Sequence, residues 1–218
     1  MKLYHSLTVV LLAGVLSGTA QIQVSKEPRH HDVFDNTWVR LLDVHIPPGD
    51  TSLIHKHSTP SVFMVLSNTK SGSQVIVEPE QKNFSKESVW FEGFYTTPRI
   101  HRVWNSDTSD FHVIDMELPN KNLRVIDPPI NQPSFTLLFD EKPVRGYRVT
   151  LSANGTVVVP SRKAPIMVVD LANSEGKVKV NDKPFSKKGD YLFIKAGSAI
   201  TMINKGGMDQ SLAFFELR

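Results

Sequence analysis

The chain has 218 residues, 40% hydrophobic and 22% charged, enough apolar material for one large or two small packed domains. Its 25 basic and 22 acidic residues leave a net charge of +3, with no basic cluster longer than two residues, which argues against a nucleic-acid partner. Cysteine is absent, which excludes disulfides, thiolate metal ligands and a cysteine nucleophile.

Met1-Lys2, the apolar stretch Leu7 to Leu16 and the small residues Ser17-Gly18-Thr19-Ala20 read as a secretory signal peptide cleaved after Ala20. The stretch is too short to span a bilayer. The mature protein is therefore expected to be secreted or periplasmic, with no membrane partner. Residues 21–34 are polar and read as an N-terminal arm, with His30 and His31 in solvent. From Trp38 to Ile46, alternation places Leu42, Val44 and Ile46 on one face and Leu41, Asp43 and His45 on the other, outer one. Pro47-Pro48-Gly49 then turns the chain.

His55 and His57 are one residue apart, so in an extended chain both point to one face. In the next strand, 61–67, Ser61, Phe63 and Val65 share the inward parity. Residues 74–78 are strand-like and 79–86 read as a polar connection. Strands at 88–91 and 99–105 flank a mouth loop, 92–98, that carries Tyr95. Arg99, His101, Val103 and Asn105 share one parity, while Arg102 and Trp104 face outward, toward a contact between domains. Phe111 to Leu118 forms a further strand in which His112 shares the parity of Ile114, Met116 and Leu118. His112 is then either a buried, hydrogen-bonded histidine or a pocket residue. If His55, His57 and His101 meet inside a sheet structure, they form a divalent-metal site; neutral imidazole suits iron, manganese, nickel, copper or zinc. The alternative is three unrelated surface histidines.

Residues 119–134, with Pro119, Pro128, Pro129 and Pro133, read as a semi-rigid connector. Beyond it the pattern repeats. His55 to Leu66 lies over Pro160 to Leu171 without a gap, bringing Pro60 onto Pro165, and His101-Arg-Val-Trp-Asn105 falls on Ile200-Thr-Met-Ile-Asn204. Glu117-Leu118 likewise falls on Glu216-Leu217.

Gly49, five residues, His55, one residue, His57 resembles the first half of motif one of the cupin superfamily. His101, three residues, Asn105 is similar to the end of its motif two. The family's motif-one glutamate is replaced here by Ser61 or Val62, and its Pro-x-Gly before the motif-two histidine is absent. The resemblance implies an all-β chain of two tandem jelly-roll (double-stranded β-helix) barrels: lobe one at 35–118 with the metal site, and lobe two at 135–218 without ligands. It also implies a small-molecule ligand in the lumen and a homodimer through sheet edges. Ser61, Phe63, Tyr95, Arg99, Val103, Asn105 and His112 are the candidate pocket residues; no catalytic residue is singled out. Three functional readings follow. One is a metal-dependent oxidoreductase of dioxygenase type acting on a small anionic or chelating substrate. The others are a non-catalytic module that binds a metal or small ligand, and a purely structural bicupin.

Overall fold

A computed structural model describes residues 21–67, 70–76, 81–84, 89–123 and 126–218; the leader reading at 1–20 lies outside them. In chain order the first ten strands are β1 (Ile22–Gln23), β2 (His30–Asp35), β3 (Arg40–Ile46), β4 (His55–His57), β5 (Ser61–Val65), β6 (Ser71–Val75), β7 (Gln81–Phe84), β8 (Val89–Glu92), β9 (Arg99–Asn105) and β10 (Phe111–Glu117). The next nine are β11 (Phe135–Asp140), β12 (Val144–Leu151), β13 (Thr156–Val159), β14 (Ile166–Asp170), β15 (Val178–Val180), β16 (Lys183–Phe185), β17 (Tyr191–Ile194), β18 (Ile200–Asn204) and β19 (Gln210–Leu217).

Four sheets result, with strand orders β1-β4-β9-β6-β7, β2-β3-β10-β5-β8, β11-β12-β19-β14-β17 and β13-β18-β15-β16. The third repeats the second strand for strand, and the fourth repeats the first without β1. Each pair of facing sheets encloses a lumen, the jelly-roll arrangement. The repeat extends to single bonds. Leu118 N donates to Pro60 O at 2.7 Å, and Leu217 N donates to Pro165 O at 2.9 Å. Arg40 bridges Asp35 and Glu117, as Arg145 bridges Asp140 and Glu216. In one place the gapless alignment slips. His55 pairs with His101 while Val159 pairs with Ile200, so the counterpart of His55 is Val159 rather than Pro160.

The second and third sheets pack back to back through a shared apolar core. Val62, Met64, Leu66, Ile114 and Met116 meet Met167, Val169, Ala213 and Phe215 across this seam. Trp104 and Arg102 do face outward, but from the other sheet: Trp104 lies over Gly72, and Arg102 donates to Gln74. The lobe contact is made by the opposite face of the barrel.

Two further readings change. Residues 79–86 contain β7, an edge strand that pairs only with β6. An edge strand forms by backbone bonding without an apolar face, so QKNF carried no alternation to detect. The arm at 21–34 is built into the barrel rather than laid on it. β1 pairs in parallel with β4, β2 pairs with β3, and Val24 is buried in the first lumen.

Asn105 and Asn204 staple corresponding turns. Asn105 Nδ2 donates to Ile46 O at 2.8 Å and Ser109 O at 2.7 Å; Asn204 Nδ2 reaches Leu151 O at 3.1 Å and Met208 O at 2.8 Å. Replacing either by alanine leaves buried carbonyls without donors. Asn105→Ala and Asn204→Ala should each lower stability by about 1–3 kcal/mol, measured by urea unfolding, and Asn105→Ala should leave ligand binding in the lumen intact.

Candidate metal centre

The first lumen owes its histidine cluster to register. β4 and β9 run antiparallel with His55 directly opposite His101, and side chains of such a pair share one face. His57, two residues on from His55, returns to that face. One ligand atom from each of the three rings lies within 4.8 Å of the other two, and all three residues are buried.

The outer nitrogens orient the rings. His55 Nδ1 lies 2.8 Å from Leu53 O, an acceptor, so Nδ1 carries the proton and Nε2 presents a lone pair. That Nε2 is buried without a hydrogen-bond partner. His57 and His101 turn their Nε2 atoms to each other at 3.0 Å. His101 Nδ1 lies 2.9 Å from Ser73 Oγ, and His57 Nδ1 lies 3.4 Å from Asp115 Oδ2. His55 and His101 thus have a carbonyl and a hydroxyl behind them and a nitrogen in front, the arrangement in which outer partners hold metal-binding histidines. The Asp115 carboxylate stands behind His57 without a hydrogen bond to it. The orphaned Nε2 of His55 and the all-nitrogen donor set fit a borderline divalent cation.

Burial makes His55 and His101 poor bases. It lowers His55 to about 3, assisted by repulsion from His57 and His30. It also holds His101 well below the usual imidazole range, with further lowering from His57, His55 and Arg99. Neutral imidazole is the form that binds a metal.

Four residues that the sequence reading did not assign to the site lie in it or behind it. Asp115 is 1% exposed, and neither carboxylate oxygen has a hydrogen-bond partner. It restores an acidic group to a lobe that lacks the motif-one glutamate, but behind His57 rather than beside it. Glu117, on the same face of β10, is pushed up to about 7 by burial and by the charge of Asp115. His30 is buried and is not in solvent: its ring meets that of His55 edge-on at 4.7 Å, and its Nδ1 lies 2.6 Å from Glu27 Oε2. His31, its neighbour, is exposed as expected of the opposite parity. Burial opposes the charge of Glu27, yet hydrogen bonds from His30 and from the Leu53 and Arg29 amides lower it to about 2.

Phe94 closes the front. Its ring stacks on His57 at 5.7 Å and meets Phe63 edge-on at 6.3 Å. Its φ of 49° is in the left-handed region that a bulky side chain avoids, so packing holds the mouth loop in a costly conformation. The guanidinium of Arg99 lies over the same ring at 5.7 Å, and its Nη1 donates to Glu92 Oε1 at 2.7 Å.

The cavity enclosed by these groups has a volume of ≈ 50 Å³. Phe63, Arg99 and Val103 line it, with Trp90, Phe111 and Asp115 among the others. The remaining pocket candidates are elsewhere. Ser61 Oγ donates to Thr59 O beyond the cavity. Tyr95 is 61% exposed and lines a separate groove beside Leu118 and Pro143. Asn105 is held in its turn. His112 is on the opposite face of β10, 2.7 Å from Asp43 Oδ1, because the parity shared with Ile114 and Met116 faces away from the lumen.

Structural comparison places this architecture. YhhW from Escherichia coli matches with a TM-score of 0.61 at 14% identity, covering 88% of this chain and 89% of that one. A cupin 2 conserved barrel domain protein from Leptotrichia buccalis matches at 0.53 and 10% identity, covering 92% of this chain and all of the other (100%). The fold is that of the cupin superfamily. Salicylate 1,2-dioxygenase from Pseudaminobacter salicylatoxidans shares the cupin fold with it at a TM-score of 0.58 and 12% identity, over 83% of this chain and 71% of the enzyme. No protein-family model matches the sequence. No curated protein matches it either.

The second lobe has no such centre among its described residues. Its lumen is packed with apolar side chains, among them Tyr147, Ile166, Ile200, Met202 and Phe214.

The depressed His55 makes a pH prediction. Between its ordinary value of 6.5 and its folded value of about 3, the unfolded chain takes up a proton that the folded chain refuses. Stability therefore falls as the pH drops through that window. Metal-free wild type should lose up to about 1.4 kcal/mol per pH unit relative to metal-free His55→Asn below pH 6.5, measured by urea unfolding from pH 7 to pH 4.5.

Proposed function

We propose that this chain is a metal-dependent cupin acting on a small organic anion, with residues 35–118 as the working lobe and 135–218 as its structural partner. The observation that carries the proposal is the convergence of three buried imidazoles, two of them backed by a hydrogen-bonding partner, inside an apolar cavity. A divalent ion held by His55, His57 and His101 would supply Lewis acidity and open coordination positions there.

The chain's own residues set what binds. Val44, Ile46, Phe63, Val65 and Trp90 exclude water and favour an aromatic or branched apolar body. Arg99, one of the few charged groups on the wall, is about one-third exposed (32%) and offers a carboxylate or enolate a partner at the rim. Glu92 keeps its guanidinium in place. Asp115, 3.4 Å behind His57, offsets the charge of a cation.

Dioxygenation fits this equipment: both atoms of O2 enter the organic product, no external reductant is consumed, and an apolar chamber admits both reactants. A solved structure with the same fold is named for that chemistry on salicylate. The present volume of ≈ 50 Å³ has room for about four waters at 10–15 Å³ each, so a ring-sized substrate requires the Phe94 loop to swing out. The same tight volume favours a second reading, a non-catalytic module that holds the metal with a very small ligand. The leader-like start at 1–20 supports export to the periplasm or beyond.

Metal analysis and oxygen uptake test the proposal. Purified protein reconstituted with iron(II), manganese(II), nickel(II) or copper(II) should consume oxygen with one of a panel of small aromatic carboxylates, aromatic diols, thiols or β-diketones. His57→Ala should abolish uptake and lower the bound metal by one equivalent; a variant that keeps the full wild-type metal content sinks the site. Metal binding without oxygen uptake across the panel selects the binding module. Asp115→Asn should weaken metal affinity by about 10–100-fold, read by competition with a chromogenic chelator.

A further inference from the structure

A second group of metal-competent donors lies outside the lumen, on the outer face of β3 and β10. In the β3–β10 ladder His45 stands directly opposite His112, and Asp43 is two residues from His45 on the same face. The two rings stack with centroids 4.2 Å apart and planes 18° from parallel. Their Nε2 atoms converge on a single oxygen, Asp43 Oδ1, at 3.3 Å from His45 and 2.7 Å from His112. One donor atom from each residue lies within 4.8 Å of the other two.

We propose that Asp43, His45 and His112 form a second divalent-cation site, suited to zinc(II), separate from the lumen centre. The edge of a tetrahedron with metal–ligand bonds of about 2.0 Å is ~3.3 Å; the two carboxylate–imidazole separations, 3.3 and 2.7 Å, are close to it, so small side-chain shifts suffice to seat a cation. Asp110 supplies the outer partner. Its Oδ2 lies 2.5 Å from His45 Nδ1, which therefore donates to it and leaves Nε2 with a lone pair. His112 gives its Nε2 proton to Asp43 in the metal-free chain, and a cation displaces that proton. Two carboxylates and two neutral imidazoles balance a double positive charge.

The position suits a structural ion. The glycine turn of lobe two lies on His112, so close that a Cβ on Gly189 would stand 3.2 Å from His112 Cε1. The side chain of His45 is 41% exposed, so an ion can reach the donors from solvent. A cation there ties β3 to β10 beside the seam between lobes. Nothing in this site touches His55, His57 or His101, which face the other side of the sheet.

The test is a zinc count on the full chain after equilibrium dialysis, with circular dichroism as the check on folding. Wild type should hold two equivalents, His57→Ala one, and His45→Ala/His57→Ala none; zinc should raise the melting temperature of His57→Ala and leave that of the double variant unchanged. If His45→Ala proves unfolded, Asp43→Asn in the same background takes its place. A folded His57→Ala that binds no zinc, or a double variant that keeps its equivalent, overturns the outer site. Wild type holding one equivalent that disappears in His45→Ala but survives in His57→Ala upholds the outer site and removes the lumen one.

Discussion

Strands β5 and β10 are buried on both faces, and that double burial fixes everything else in the first lobe. Val62, Met64, Ile114 and Met116 are committed to the seam between lobes. The pleat then sends Phe63, Val65, Val113 and Asp115 into the lumen, because successive residues cannot share a face. A slip of one residue would bring Asp115 into the seam and Met116 against the histidines. The seam is thus what specifies the lumen, and lobe two acts on the histidine cluster through packing.

The two lumens show what this division of labour allows. In lobe two the space is filled by apolar side chains, and Glu216 is met by Arg145, Tyr147 and Arg162. In lobe one the corresponding space holds buried imidazoles and a carboxylate with no hydrogen-bond partner. Unpartnered buried polar groups oppose folding. A sister barrel filled with apolar side chains offsets that cost through the shared core, which is a physical reason for keeping it. The mouth follows the same logic: Phe94 is held in an unfavourable backbone conformation by its contacts with His57, Phe63 and Arg99. A cation or substrate that displaces the ring would release that strain.

Much of the architecture could be read before any coordinates. The alternation in 40–46, the turn at Pro47-Pro48-Gly49 and the spacing of His55, His57 and His101 report local geometry, and local geometry depends on neighbouring residues. The recurrence of Pro60 at Pro165 and of Asn105 at Asn204 reports turns that both lobes need. Asn105 was nevertheless read as a pocket residue, because parity cannot distinguish a side chain that points inward to a ligand from one that points inward to its own turn.

The sequence by itself determined that 40–46, 61–67, 99–105 and 111–118 would be extended, that a two-lobed repeat was present, and that a histidine pair would share a face. Only the tertiary structure decided that Asp115 rather than His112 faces the lumen. The apolar parity of 111–118, with Ile114, Met116 and Leu118, meets the seam between lobes, and periodicity is silent about which of two apolar surfaces a strand's apolar face will meet. The tertiary structure alone drew Glu27 and His30 out of a polar arm, since their burial follows from β1 joining the edge of the sheet at β4, well along the chain, and from β2 pairing with β3. Sheet order, and not residue order, sets those neighbours.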